Sequence, residues 1–503
     1  MSDSGDSPAL PPIVYAQASP RSVGGVSLFD VAQPVDAGSV LDFMSEQPVI
    51  NEAEDRLRTA GFDVLQVSPT TINIAGPPAL YEEYFGVTLE AQERPAVKSG
   101  GRAETATYVE CLETDLPGLV PVDRSPAAEV LEGVALEEPV YFHESAFPVK
   151  PGYWHLSPPG DIAAAVNAER AHRGRTTGLG IKAVMVDSGW YRHPYFVQRG
   201  YRVAPVVLGP AAARPDDDEV GHGTGESANL LAVAPDADFG MVKINFVNSI
   251  GAFNVAAQMS PHIISCSWGS NVTGATLSAA QQALSAAIAT AVSAGIVVVF
   301  SAGNGVGLGF PGQHPDVISA GGVMIEADGS LHASNYTMGG VSRAFAGRTV
   351  PDVSGLVGMR PTAMLIVLPV QPGDELDANR AGGVFPTGDQ TGPQDGWGVF
   401  SGTSAAAPQI AGVCALLKQA HGALTPAEVK DILGATAIDV TTGVNANGNP
   451  AGPGYDLATG HGLVDAHRAV LIADLRRQAA DQDTPIANPF DEPVLSGDLT
   501  ADL

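Results

Sequence analysis

The sequence predicts an α/β protein built on a parallel sheet with helices on both faces, preceded by a small α+β domain. Three observations carry this. From about residue 155, apolar strands alternate with alanine-rich helices. That alternation gives parallel strands covered on both sides. Residues 26–95 read β-α-β-β-α-β. And 503 residues give room for two or three domains and a large core.

Residues 1–25 read as a flexible arm. Val26 to Ala32 is the first expected strand. Asn51 to Ala60 reads as a helix ended by Gly61, and Phe62 to Val67 alternates as a strand. Thr71 to Ile74 returns after the Ser68-Pro69 turn. Pro77 opens a second helix that Gly86 ends, and Val87 to Glu90 is the last strand. The order suggests a ferredoxin-like sandwich. Residues 96–154 are irregular and read as a linker, with a cleavage point there or just before Gly152-Tyr153-Trp154. The second domain spans 155–475. Its expected strands include Ile181 to Val186, one within Ala232 to Ile244, Ile263 to Cys266, Ile296 to Phe300 and Val317-Ile318, with a helix over Ser278 to Ala294. Residues 356–398, rich in Gly, Pro and Asp, read as a surface insertion. The acidic residues 476–503 read as a disordered tail.

Composition limits the function classes. Lys+Arg 26 against Asp+Glu 55 gives a net charge of -29, which repels phosphates and excludes nucleic acid as a partner. Cys111, Cys266 and Cys414 cannot form a disulfide framework. No run of 18 apolar residues suggests a membrane span. No basic segment followed by an apolar one opens the chain. That leaves location open and tips it toward the cytoplasm. A monomer is expected.

The chemistry gathers around Ser401-Gly402-Thr403-Ser404-Ala405-Ala406-Ala407-Pro408, which runs into an apolar helix. Ser404 would sit at a helix N-terminus, where free N–H groups favour developing negative charge. Upstream, Asp187 ends a strand, His222 lies between glycines at a helix start, and Asn304 follows the strand ending at Phe300. Each stands where a parallel sheet places its ligand chemistry. A histidine can take a serine's proton and an aspartate can orient the ring. An asparagine amide can donate to an oxyanion.

These strings resemble the subtilisin-like serine proteases, in the chain order Asp, His, Asn, Ser. Val233-Ala234-Pro235-Asp236-Ala237 and Ser265-Cys266-Ser267-Trp268-Gly269 match that pattern too. The resemblance implies a serine endopeptidase acting on peptides, with Asp187, His222 and Ser404 as triad and Asn304 in the oxyanion hole. It implies substrate contacts at Ser267, Trp268, Gly269, Ala302 and Gly303. The "RLRTAGFDVLQVSPTTINIAG" and "YFGVTLE" runs are similar to the prodomain of the kumamolisin/sedolisin group, which implies a self-processing zymogen inhibited by its own prodomain. Asp439, Val440, Gly452, Gly454 and Asp456 resemble the calcium loop of that group. The other reading of that loop is a glycine-rich turn. Glu226, one helical turn after His222, is either a second carboxylate at the site or a surface residue. With His222 as base, activity should rise through about pH 6 to 8. A sedolisin-like acid peptidase and a silent binding protein on the same fold are the alternatives. An unrelated α/β hydrolase would need a histidine after the serine. Only His421, His461 and His467 follow it, and neither His421 nor His461 has an obvious acid partner.

Overall fold

The computed structural model describes residues 8–30, 35–98, 102–142, 155–272, 274–360, 366–382 and 389–482. The N-terminal domain is a five-stranded antiparallel sheet. Its order is Asp63–Val67, Ile72–Gly76, Val14–Pro20, Leu131–Leu136 and Leu119–Val120. Helices Gln47–Ala60 and Pro78–Phe85 bury Leu57, Tyr81 and Phe85 against it. Both helices end as the sequence predicts, at Gly61 (φ 104°) and Gly86 (φ 68°). The left-handed conformation costs glycine nothing.

The topology is the expected sandwich, but other segments build its first and last strands. The central strand is Val14–Pro20, inside the predicted arm. Its alanines, glutamine and serine are weak strand formers, and it exists because it pairs on both edges. Val26 to Asp30 is no strand; Leu28 and Phe29 are buried, and Phe29 covers Gly133 so closely that a β-carbon there would lie 2.5 Å from its ring. The expected fourth strand lengthens to Leu89–Lys98 and pairs with Arg102–Cys111 as a separate hairpin. The true fourth strand is Leu131–Leu136. The predicted linker therefore holds much of the domain. The point before Gly152 lies outside the described residues.

The second domain carries a mostly parallel sheet. Its order is Val207–Leu208, Asp238–Lys243, Lys182–Asp187, Ile263–Cys266, Val297–Ser301 and Ile318–Ile325, with Val353–Leu356 parallel and Leu331–Ala333 antiparallel on the last. Strands buried on both faces read as unbroken apolar runs. That is why they were legible. Helices His222–Val233 and Thr403–Ala420 cover one face. Helices Ser249–Gln258 and Ala279–Ser293 cover the other, the latter started by a Ser278–Gln281 capping box. The N-terminal domain docks on this second face. Asn73 and Asn248 bond reciprocally there (2.7 and 2.9 Å), fully buried. Helix Ala466–Gln482 extends past the expected start of the tail at 476, and residues 483–503 lie outside the described residues.

The predicted surface insertion is also partly internal. Strands Ile366–Pro369 and Trp397–Phe400 form a hairpin over the start of the His222 helix, with Ile366, Leu368, Val370 and Phe400 buried. Its polar composition hid the short apolar strands inside it. The hairpin explains Gly225: a β-carbon there would lie 2.3 Å from Phe400 Cζ. Alanine normally stabilises a helix over glycine by about 1 kcal/mol. Gly225→Ala should instead lower the thermal midpoint, and a raised midpoint in calorimetry would refute this packing account.

Candidate active site

Asp187 is the last residue of its strand, in register with Lys243. Its Oδ1 accepts the Ser188 N–H at 2.8 Å and stands 2.7 Å from His222 Nδ1. Neither side chain is exposed. His222 opens its helix after Gly221, whose φ of 85° turns the chain into it. The Phe400 ring lies against the imidazole, centroids 6.3 Å apart and planes 25° from parallel. Glu226 is not on the surface. It is buried, with Oε1 3.9 Å from His222 Nε2 and Oε2 accepting from Asn229 Nδ2 at 2.8 Å. Asn229 Oδ1 in turn accepts from Gln409 on the Ser404 helix (3.2 Å).

Ser404 is the second residue of helix Thr403–Ala420. Its hydroxyl donates to the Ser267 carbonyl (3.2 Å), while Ser267 Oγ donates to the Ser404 carbonyl (2.9 Å). The second bond explains Pro408, which stands inside this helix. Proline has no N–H, so the carbonyl four residues back loses its helical partner. That carbonyl belongs to Ser404, and Ser267 supplies the missing donor. Asn304 is latched to the same helix start: its Oδ1 accepts from Thr403 N (3.1 Å) and Thr403 Oγ1 (3.3 Å). Thr403 Oγ1 also accepts the Gly303 N–H at 3.1 Å.

The expected substrate residues divide. Trp268 is a core residue by its side chain, donating Nε1–H to the Val186 carbonyl (2.8 Å) and meeting Phe300 edge-on. Its backbone does face an extended strand: Tyr141–Phe142 pairs antiparallel with Trp268–Gly269. Ala302 is buried and bonds through its N–H to the Ala320 carbonyl (2.9 Å). Gly303 (φ 109°) is packed under Met338, whose sulfur would lie 2.6 Å from an added β-carbon.

Sequence reasoning missed Asp218. It is buried, and its Oδ1 accepts from Ser188 Oγ (2.7 Å) and Gly221 N (3.1 Å). Its Oδ2 accepts from Thr224 N (2.8 Å) and Thr224 Oγ1 (2.6 Å). Burial pushes its carboxyl up, the Thr224 and Ser188 hydrogen bonds pull it down, and the nearby Asp187 charge raises it again. The run Asp216-Asp217-Asp218-Glu219 has the composition of a solvated acidic stretch. The usable signal was an aspartate four residues before a glycine-flanked histidine.

The expected calcium ligands do not fit an ion as they stand. Asp439 Oδ2 accepts the Gly454 N–H (3.0 Å), and Asp456 accepts from Gly452, Ala458 and Thr459 N–H, each at 2.8 Å. Amide hydrogens point at the oxygens a cation would need, and Val440 is buried. Among the described residues no three His, Cys, Asp or Glu side chains gather as a metal site. The loop is a turn closed by its own amides, and no ion is assigned to it.

The Ser267–Ser404 exchange yields a stability prediction. Ser267→Ala would leave the buried Ser404 carbonyl without a donor, which typically costs about 1–3 kcal/mol. Denaturant unfolding should show that loss; no change would mean another donor serves the carbonyl.

Residues 186–462 match the model of the subtilase family. Subtilisin E of Bacillus subtilis (strain 168) is 28% identical over 295 residues, covering 54% of this chain and 64% of its own length. The M-protease of Shouchella clausii (strain KSM-K16) is 26% identical over 322 residues, covering 60% of this chain and 68% of its own. The chain thus spans just under two thirds of subtilisin E. The solved structure of fervidolysin from Fervidobacterium pennivorans, a keratinolytic enzyme related to subtilisin, covers 94% of this chain and 62% of that chain. Its TM-score is 0.56 at 15% identity, a likeness of fold. With more than half of its length inside the family match, this protein belongs to the subtilase family.

Proposed function

We propose that the protein is a serine endopeptidase whose triad is Asp187, His222 and Ser404. The observation that carries this is the buried 2.7 Å contact of Asp187 Oδ1 with His222 Nδ1. It lies at the carboxyl edge of the sheet, beside a helix that begins at Thr403-Ser404. With Nδ1 bound to Asp187, the ring's Nε2 would accept the serine proton and later return it to the leaving amine. Ser404 attacks the peptide carbonyl and forms an acyl-enzyme that water releases. The oxyanion would be met by the Ser404 backbone N–H and by the Asn304 amide. With Asn304 Oδ1 accepting from Thr403, the amide's Nδ2 would be the end that donates to the oxyanion. No cofactor is needed for these steps.

The N-terminal domain is proposed to be an inhibitory prodomain. A substrate strand would add to Trp268–Gly269 by main-chain pairing. Tyr141–Phe142 already occupies that edge. Its register runs toward Ser267, whose carbonyl holds the Ser404 hydroxyl, so self-cleavage should follow shortly after Phe142. Purified wild-type protein should label with a fluorophosphonate and yield a new N-terminus between residues 143 and 155. Ser404→Ala should do neither. Labelling of that variant, or its processing at the wild-type rate in pure form, would overturn the assignment.

Glu226 tests the acid-acting alternative. A carboxylate beside Nε2 favours the charged imidazolium over the neutral ring that acts as base. Removing that charge makes the neutral form available at lower pH. Glu226→Gln should therefore move the lower limb of the kcat/KM profile toward acid. A wild-type optimum near roughly pH 3–4, where carboxylates titrate, would instead favour sedolisin-like chemistry.

A further inference from the structure

The stretch between Leu356 and Ser401 has no part in the steps above, yet its described residues grip the segment that ends at His222. Gln371 Oε1 accepts the Asp218 N–H at 2.8 Å, and Gln371 Nε2 donates to Asp217 Oδ1 at 2.5 Å. Two backbone bonds run alongside: Glu375 N to the Glu219 carbonyl (2.9 Å) and Leu376 N to the Val220 carbonyl (3.2 Å). The Asp374 carboxylate covers Gly221, where an added β-carbon would lie 2.0 Å from Oδ2. Every residue from Asp217 to Gly221 is thus touched from the same side.

What is gripped controls the geometry of the base. Asp218 bonds both to Ser188, the residue after Asp187, and to the first turn of the His222 helix at Gly221 and Thr224. Ser188 Oγ also accepts the Gly223 N–H at 2.8 Å. A displacement of Asp218 would therefore move the strand end that carries Asp187 relative to the helix start that carries His222. The side chain of Gln371 bonds to Asp217 and to Asp218, and Asp218 is the one of the two that carries the effect on to Ser188 and the His222 helix.

We propose that segment 366–376 is a brace for the general base, with Gln371 as a positioning residue acting through Asp218. The proposal rests on His222 being that base. It distinguishes placement from binding: substrate backbone pairs at Trp268–Gly269, on the strand after Cys266, which the brace does not touch. Loss of the brace should therefore appear in kcat and spare KM. Misplacing a catalytic group by about 1 Å can cost on the order of 100-fold in rate.

The test is Gln371→Met in the full chain, which keeps the length of the side chain and removes both hydrogen bonds. Hydrolysis of a short fluorogenic peptide and the rate of fluorophosphonate labelling at Ser404 are measured together, with the thermal midpoint as a check on folding. A smaller displacement than the full ångström predicts kcat lower by about tenfold, KM within about twofold, and labelling slowed in proportion to kcat. Asp217→Ala should lower kcat in the same sense. Asp217→Asn, which keeps an acceptor for Gln371 Nε2, should lie closer to wild type. A folded Gln371→Met protein with wild-type kcat overturns the proposal. So does a fall confined to KM. Should Gln371→Met not fold, the Asp217 pair decides: no difference between alanine and asparagine overturns it. A wild-type protein that neither hydrolyses peptide nor labels overturns the assignment of the base itself.

Discussion

The structure is organised by the need to hold an aspartate and a histidine together away from water. Asp187 and His222 are both fully buried, and a buried charge is costly unless hydrogen bonds meet it from several sides. The Ser188 N–H answers Asp187 on the same oxygen as the ring. Asp218 then fixes Ser188 and the histidine helix in one frame, and Gln371 fixes Asp218. Asp187, Ser188 and Asp218 are each buried polar groups needing a partner, and the half-buried Gln371 closes the series. The outcome is four carboxylates, Asp187, Asp218, Glu226 and Asp374, within one small region. They need not all be charged. Burial, with the charges of Asp218 and Asp377 beside it, pushes Asp374 up to about 8.

A second constraint links Ser404 to the sheet. A proline in the second turn of a helix ordinarily weakens it by leaving a carbonyl bare. Here the bare carbonyl belongs to Ser404, and the hydroxyl that fills the gap comes from Ser267, at the end of the central strand Ile263–Cys266. The helix therefore cannot slide along the sheet without breaking a buried bond. Asn304 adds a latch from the next strand through Thr403. Sheet, helix and nucleophile share one register because a local helix defect is repaired by a tertiary contact.

These constraints decide what was legible in the sequence. The parallel strands stood out because both faces are buried: Lys182–Asp187, Ile263–Cys266 and Val297–Ser301 fall within a residue of expectation, while Ile318–Ile325 runs well past the expected Val317-Ile318. Asp187, His222, Asn304 and Ser404 stood out because each lies where an apolar run stops and glycine begins. Other features depend on partners far away in the chain. Val14–Pro20 is a strand only because Ile72–Gly76 and Leu131–Leu136 flank it. Trp268 reads as a binding aromatic until the Val186 carbonyl and Phe300 are seen to enclose it. Glu226 reads as either a second carboxylate or a surface residue until it is seen buried beside His222, linked through Asn229 to the Gln409 helix. Helical spacing alone places it one turn from His222 but cannot say which face is covered. Asp218 was lost in an acidic run because composition there imitates solvated charge.

The placement of the N-terminal domain gives these details a common logic. Its sheet lies on helix Ser249–Gln258 through the buried Asn73–Asn248 pair. Its last described strand, Tyr141–Phe142, lies on Trp268–Gly269. A strand edge can pair with one partner at a time, so on the reading proposed above this segment and a substrate would compete for the same backbone groups. Tethering favours the segment, because pairing within one chain proceeds at a high effective concentration. Cutting the chain after Phe142 would not remove the competitor at once: the Asn73–Asn248 contact and the sheet-to-helix packing still hold the domain in place. On the reading proposed above, cleavage and activation are therefore separate events. The cut converts a tethered segment into a bound product, and activity appears when the domain leaves. The docking is not only polar: Leu28, Phe29, Val40 and Phe43 share one buried apolar cluster with helix Ala279–Ser293, so release of the domain would expose apolar surface to water.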